Sequence, residues 1–272
     1  MRHIPLILLI AAASASPQSP APSPPQWKLA WSDEFNGPAN TAPDASKWVY
    51  DLGHDGEGWG NHELQAYTNS IENVHQDGQG HLVIRALKDE SGNYTSGRLK
   101  TKGKFTTTYG KIEARIKLPH GQGIWPAFWS MGDDIAKVGW PNCGEIDIME
   151  NIGKEPGIQH GSMHGPGYSD GHSLTGAYTL PKGKKLSDDF HVYGIVWTKQ
   201  SVEFLFDGHS YFQATPASLP KGAEWKFNKP FFLLLNVAVG GDWPGSPDSS
   251  TIFPQEMLID YVRVFSTEIP HE

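Results

Sequence analysis

An all-β sandwich of two antiparallel sheets is the fold this sequence predicts, and three observations predict it. Thirty Gly and 21 Pro make turn-formers about a fifth of the 272 residues, which argues against a helical bundle or a coiled coil. Apolar residues recur at every second position in several segments, while helical periodicity is nearly absent. Hydrophobic residues make up 38% and charged residues only 19%, so the chain is too apolar for disorder and long enough to bury a large core.

The elements follow in chain order. Residues 51–61 (DLGHDGEGWGN) are Gly-rich and read as a loop. Residues 81–87 (HLVIRAL) are a strand candidate. In residues 109–118 (YGKIEARIKL), Ile112, Ala114, Ile116 and Leu118 face one way and Lys111, Glu113, Arg115 and Lys117 the other. Residues 191–197 (HVYGIVW) and 257–265 (MLIDYVRVF) are further strands. Residues 202–206 and 209–212 flank Asp207-Gly208, which tolerates the positive φ of a type I′ turn and so marks a hairpin. Residues 231–239 (FFLLLNVAV) are apolar on both faces, which predicts a central strand buried twice.

Residues 1–15 read as a secretory signal peptide: Arg2, an apolar run over 4–10, and the small-residue pattern Ala13-Ser14-Ala15. That run is shorter than the roughly 20 residues a bilayer span needs. Residues 16–26 (SPQSPAPSPPQ) are a Pro/Ser-rich linker or tail. From Trp27 no composition break, charge run or repeat interrupts the chain, so residues 27–267 form one domain. The expectation is a secreted monomer, extracellular or periplasmic, with no membrane contact after signal cleavage. A net charge of -8 gives no basic footprint for nucleic acid, and a neutral partner fits better. The single cysteine, Cys143, allows neither an intramolecular disulfide nor a cysteine-based zinc site.

The chemistry is concentrated in residues 144–151, GEIDIMEN. On a strand Glu145 and Asp147 share one face while Ile146 and Ile148 fill the core. Strict alternation would bury Glu150, at a cost an unpaired carboxylate rarely bears. A β-bulge near Met149 returns Glu150 to the acid face. Four residue steps span roughly 13 Å between Cα atoms. Glutamates leaning together could close this to the roughly 5–5.5 Å of a retaining glycosidase pair. Taken alone, the pattern also fits a solvated acidic strand face. Trp125, Phe128 and Trp129 in IWPAFW, Trp140 just before the acids, and Trp59 and Trp243 in Gly-rich loops change the weighting, because indoles offer flat apolar planes to sugar rings. Trp197 and Trp225 fit core packing equally well.

The blocks WSDEFNG (31–37), NHELQAYT (61–68), WPAFW (125–129), GEIDIMENIG (144–153), DFHVYGIVW (189–197), LLLNVAVGGDWPG (233–245) and FPQEMLIDYVRVF (253–265) occur in this order. Over about residues 27–266 the chain resembles bacterial family 16 glycoside hydrolases, and is most similar to their laminarinases. The resemblance implies a β-jelly-roll whose concave sheet forms a glucan-binding cleft. It implies Glu145 as nucleophile, Asp147 as its assistant and Glu150 as general acid/base; the acid needs a raised pKa, which two adjacent carboxylates supply by like-charge repulsion. Asn61, Arg85, Trp125, Trp129 and His164 are implied as sugar contacts, beside the cleft candidates Trp140 and Trp243. By its residues alone Arg85 also fits an ordinary strand-face cation. His160 and His164 have a helical metal-pair spacing in a context that is not helical, which argues against zinc. No cofactor is expected for catalysis. A structural Ca²⁺ is implied at Glu34, the Gly80 carbonyl and Asp260.

The expected activity is retaining endo-hydrolysis of β-1,3-glucan (laminarin), extending to mixed β-1,3/1,4-glucan. The Met-containing EIDIME form resembles laminarinases, whereas lichenase-type relatives usually lack the extra residue. The alternatives are a transglycosylase, a hydrolase of another polysaccharide such as agarose or carrageenan, and a non-catalytic glucan-binding protein. The last is disfavoured because all three acids are present.

Overall fold

A computed structural model describes residues 26–267, in which seventeen strands form two sheets packed over one core. The first eight are β1 (Trp27–Asp33), β2 (Val49–Tyr50), β3 (Gln65–Tyr67), β4 (Val74–Gln76), β5 (Leu82–Lys88), β6 (Tyr94–Ser96), β7 (Arg98–Lys100) and β8 (Gly110–Lys117). Then come β9 (Ile124–Gly132), β10 (Glu145–Glu150), β11 (Ile158–His164) and β12 (Leu174–Thr179). The last five are β13 (His191–Trp197), β14 (Val202–Phe206), β15 (His209–Ala214), β16 (Phe231–Val239) and β17 (Gln255–Thr267). The expected signal peptide (1–15) and all of the linker but its last residue lie outside the described residues.

One sheet has ten strands, ordered β15-β14-β13-β8-β17-β5-β6-β3, with β1 on β17 and β4 on β5. The other has seven, ordered β12-β11-β10-β9-β16-β7-β2. Pairing is antiparallel except between β3 and β6. This is the expected β-jelly-roll sandwich of two antiparallel sheets.

Alternation builds the core as the sequence predicts. Ile112, Ala114 and Ile116 of β8 meet Ile146 and Ile148 of β10 and Leu233 and Leu235 of β16 in one cluster. Each fully buried isoleucine or leucine contributes about 1.5–3 kcal/mol. Asp207 and Gly208 take φ of 47° and 78°, as the hairpin between β14 and β15 requires. Trp197 is buried in the core, and Trp225 packs against it.

Strand β16 is buried at all nine positions, and two clusters explain why. Phe231, Leu233, Leu235, Val237 and Val239 face the main core. Phe232 and Leu234 point the other way into a smaller cluster with Met131 and Cys143, against which Trp129 and Ile135 pack. The seven-stranded sheet therefore carries apolar support on its outer face, where the acids also lie.

Candidate active site

The acids sit on β10 between β9 and β11, and the register shows how they come to share a face. Against β9, Glu145 is opposite Met131, Asp147 opposite Trp129 and Glu150 opposite Ala127, with a shift between Asp147 and Met149. Against β11, the same three face His164, Ser162 and His160. Both neighbours alternate strictly, so the acids occupy one face and the extra residue is accommodated at Ile148 and Met149. Ile146, Ile148 and Met149 are all completely buried. The bulge expected near Met149 is present.

Each glutamate receives one indole N–H. Trp140 Nε1 donates to Glu145 Oε2 and Trp125 Nε1 to Glu150 Oε1, both at 3.0 Å. Between them Asp147 Oδ2 lies 2.9 Å from His164 Nε2. The backbone N–H of Asp170 donates to His164 Nδ1 at 3.2 Å, so Nδ1 accepts and Nε2 carries the ring proton that faces Asp147. Single ligand atoms of Glu145, Asp147 and His164 lie within 4.8 Å of one another, a metal-sized cluster among the described residues. The tautomer argues against a metal there, because the nitrogen facing the acids is the protonated one.

Burial pushes Glu145 up to about 8, with the Asp147 charge adding to it and His164 and Trp140 opposing. Burial also raises Asp147, to about 7. Glu150 is held well above the ordinary carboxylate range, first by burial and then by the charges of Asp147 and Glu145. Like-charge repulsion, the cause expected from sequence, thus ranks behind desolvation. The cluster retains protons near neutrality.

Aromatic side chains flank the acids. Trp243 meets Trp125 edge to face at 5.5 Å and His160 at 5.1 Å, and its carbonyl accepts from Lys154 Nζ at 2.9 Å. Trp129 Nε1 donates to Asn236 Oδ1 at 2.8 Å. The Asp242 N–H donates to the Asn61 carbonyl at 2.9 Å, joining the loops that carry Asn61 and Trp243. Asn61 Nδ2 in turn donates to Glu63 at 3.3 Å.

Arg85 is a correction. It lies on β5 of the ten-stranded sheet, opposite Glu256, to which its Nε donates at 2.6 Å. Its neighbours Ile84 and Ala86 enter the core, so its side chain leaves by the face of the sandwich opposite the acids. The arginine at the acid face is Arg98 on β7. Its guanidinium lies between the rings of Trp59 (4.6 Å) and Trp129 (4.9 Å) and pairs with Asp51 at 3.0 Å. Sequence reasoning also missed Asn236 and Glu63. Asn236 is the one polar residue of an otherwise apolar strand, a usable signal because buried amides need partners. Arg98 sits on three residues, too few for any periodicity.

Residues 61–263 match the family model for glycosyl hydrolases family 16. The chain belongs to glycosyl hydrolase family 16. Its sequence is 42% identical over 253 residues to the beta-glucanase of Rhodothermus marinus, covering 89% of this chain and 86% of that protein. Its structure is similar to the catalytic domain of an endo-1,3-beta-glucanase (laminarinase) from Thermotoga petrophila RKU-1, with a TM-score of 0.84 and 48% identity over 90% of this chain and 100% of that one. An endo-beta-1,3-glucanase from Pyrococcus furiosus gives a TM-score of 0.83 at 48% identity, covering 89% and 95%.

The three positions implied for Ca²⁺ in this family 16 chain converge midway along β17, where its pairing passes from β5 to β1. Asp33 pairs with Val262, which brings Glu34 beside the 260–261 backbone. Ile259 pairs with Leu82, two residues from Gly80. A Cβ at Gly80 would sit 3.6 Å from Asn36 Oδ1. The carboxylate of Glu34 is not free, however, since both oxygens accept from Arg263 at 3.0 and 2.7 Å. Asp260 Oδ2 accepts from Arg115 at 2.7 Å.

The raised carboxyls give a stability prediction. Glu145 moves from its ordinary 4.5 to about 8 on folding. Its ionised form therefore opposes folding fully above pH 8 and has no effect below pH 4.5. Glu145→Gln should raise Tm at pH 8 by at least about 2–4 °C, the equivalent of roughly 1 kcal/mol in a domain this size. The gain should fade as pH falls to 4.5, so an equal gain at both pH values would rule out the buried charge as its source.

Proposed function

We propose that this family 16 protein is an endo-acting retaining β-glucanase whose main substrate is β-1,3-glucan. One observation carries the reading: the bulge at Ile148–Met149 puts Glu145, Asp147 and Glu150 on one aromatic-lined face, with an indole N–H on each glutamate. The relatives from Thermotoga petrophila and Pyrococcus furiosus, both named as endo-1,3-beta-glucanases, support the linkage.

With Glu145 as the carboxylate and the proton held on Glu150, Glu145 attacks the anomeric carbon as the bond to the leaving oxygen breaks, and Glu150 gives that oxygen its proton. The glycosyl ester on Glu145 carries no negative charge. One of the charges holding Glu150 up is thereby lost, so Glu150 ionises more readily and takes the proton of the incoming water. Water attacks from the face the leaving group vacated, and configuration is retained. Asp147, facing the protonated nitrogen of His164, orients Glu145. No cofactor enters either step.

Calcium is structural in this reading. The hard oxygens left to it are the main-chain carbonyl of Glu34, the carbonyl of Gly80, and Oδ1 and the carbonyl of Asp260. Asp260 suits the role because the register slips between Ile259 and Tyr261, leaving it without a ladder partner on β8. We also read the protein as an exported monomer. Export rests on residues 1–15, and no helix among the described residues is long and apolar enough to cross a membrane.

Purified protein should release short oligosaccharides from laminarin faster than from lichenan, and none from cellulose or agarose; preferential cleavage of agarose would overturn the substrate. For the roles, Glu145→Ala and Glu150→Ala should each lose most activity on laminarin. With azide and an activated aryl glycoside, Glu145→Ala should give an α-glycosyl azide, because azide attacks directly in the vacated space. Glu150→Ala should give the β-anomer through the covalent intermediate, and swapped anomers in proton NMR would reverse the two roles. EDTA should lower Tm while sparing activity at moderate temperature, and added Ca²⁺ should restore it. A melt insensitive to both would remove the ion.

A further inference from the structure

Beneath the acid face, inside the core, a buried polar pair supports the bulge. Opposite Ile148 and Met149 on β11 stands one residue, Gly161, because Asp147 pairs with Ser162 and Glu150 with His160. Two residues facing one interrupts the ladder, and a backbone carbonyl freed in the core needs another donor. Gln159 supplies it. Its side chain is completely buried, and Nε2 donates to the Ile148 carbonyl at 3.0 Å and to the Tyr211 hydroxyl at 2.8 Å. Tyr211 comes from β15 of the other sheet, so the contact crosses the sandwich.

Gly161 makes that crossing possible. A Cβ there would stand 2.4 Å from the Tyr211 hydroxyl oxygen and 2.6 Å from Phe204 Cδ1. The absence of a side chain directly opposite the bulge is what lets Tyr211 reach Gln159. Gln159 Oε1 has no hydrogen-bond partner in this site. A leucine would fill similar space without an unpaired amide oxygen, so packing alone does not account for the glutamine.

We propose that Gln159, braced by Tyr211, is a positioning residue for Glu150: by holding the Ile148 carbonyl it fixes the bulged backbone in the register that aims the Glu150 carboxyl at the cleft. The proposal rests on Glu150 being the acid/base. It assigns Gln159 no contact with substrate, and places its effect on proton delivery rather than on nucleophilic attack.

The test compares kcat/KM for two aryl β-laminaribiosides, one with a 2,4-dinitrophenyl leaving group that needs no proton and one with an unsubstituted phenyl group that does. kcat/KM reports steps up to formation of the glycosyl-enzyme, so it isolates the acid role. Gln159→Leu should lose about tenfold or more on the phenyl substrate, within the range general acid catalysis supplies, and less than about threefold on the dinitrophenyl one. Tyr211→Phe, which keeps the ring and removes the brace, should show a smaller loss with the same preference. It also serves as the test if Gln159→Leu does not fold. Gln159→Glu should recover the phenyl reaction at low pH, where the carboxylic acid can donate to the Ile148 carbonyl, and lose it as the group ionises. Equal losses on both substrates, or none, in variants that melt cooperatively would overturn the proposal. Glu150→Gln serves as reference. If it lacks the leaving-group preference, the acid/base assignment itself fails, whereas a preference in Glu150→Gln that is absent from the Gln159 and Tyr211 variants removes only the positioning role.

Discussion

A β-strand alternates its side chains between two faces, and the chemistry of this protein depends on the single place where β10 departs from that rule. Glu145 and Glu150 are an odd number of residues apart, so a regular strand would send them to opposite faces. The slip at Ile148 and Met149 changes the parity once. The neighbouring strands need no such device. Trp129 and Met131 on β9, and His160, Ser162 and His164 on β11, reach the acid face by ordinary pleating. The extra residue costs little in packing because it is apolar: Ile148 and Met149 both join the core beside Ile146.

Gathering three carboxyls opposes folding, and the way the site limits that opposition shapes its chemistry. Burial raises all three above their ordinary values, so the cluster keeps protons instead of bearing three charges. The donors that reach the glutamates are indole N–H groups, which stabilise a carboxylate without adding a fixed positive charge. A lysine or arginine in their place would pull Glu150 down and strip it of its proton. Arg98, beside the aromatic wall, is instead tied to Asp51 and stacked between two indoles. Because desolvation is the leading cause of the shifts, a sugar chain that excludes water from the cleft acts in the same direction as the empty protein.

Much of this was legible in the sequence, for a physical reason. Period-two patterning reports which side chains share a face, so the long strands β8, β13, β16 and β17, the Asp207-Gly208 hairpin and the parity break at the acids could all be read. What patterning does not report is which sheet a strand joins. Arg85 lies between Ile84 and Ala86, and Arg98 stands before Leu99, so each is a cation beside apolar strand residues. Yet β5 is in the ten-stranded sheet and β7 in the seven-stranded one, so the first arginine serves an ion pair with Glu256 and the second the acid face. Short strands such as β2, β3, β6 and β7 hold two or three residues and carry no period at all. The pairing of Glu34 with Arg263 was hidden for a related reason, since it joins residues far apart in the chain that only the β1–β17 register brings together.

The two glutamates are held in different ways, and the difference suits the roles proposed for them. Glu150 stands at the end of a closed circuit of contacts. Trp125 donates to it, Trp243 packs against Trp125 and His160, and Lys154, from the loop that follows the acids, holds the Trp243 carbonyl. From below, the Ile148 carbonyl is held by Gln159. A group that gives a proton in one step and takes one in the next needs the same orientation twice, and rigid support supplies it. Glu145 has a different setting: one indole, from the exposed Trp140, and its neighbour Asp147. A nucleophile has to advance on the anomeric carbon and withdraw again when the ester is cleaved. The indole that holds it belongs to an exposed side chain, which leaves the carboxylate room for that movement, while Asp147 beside it keeps it aimed.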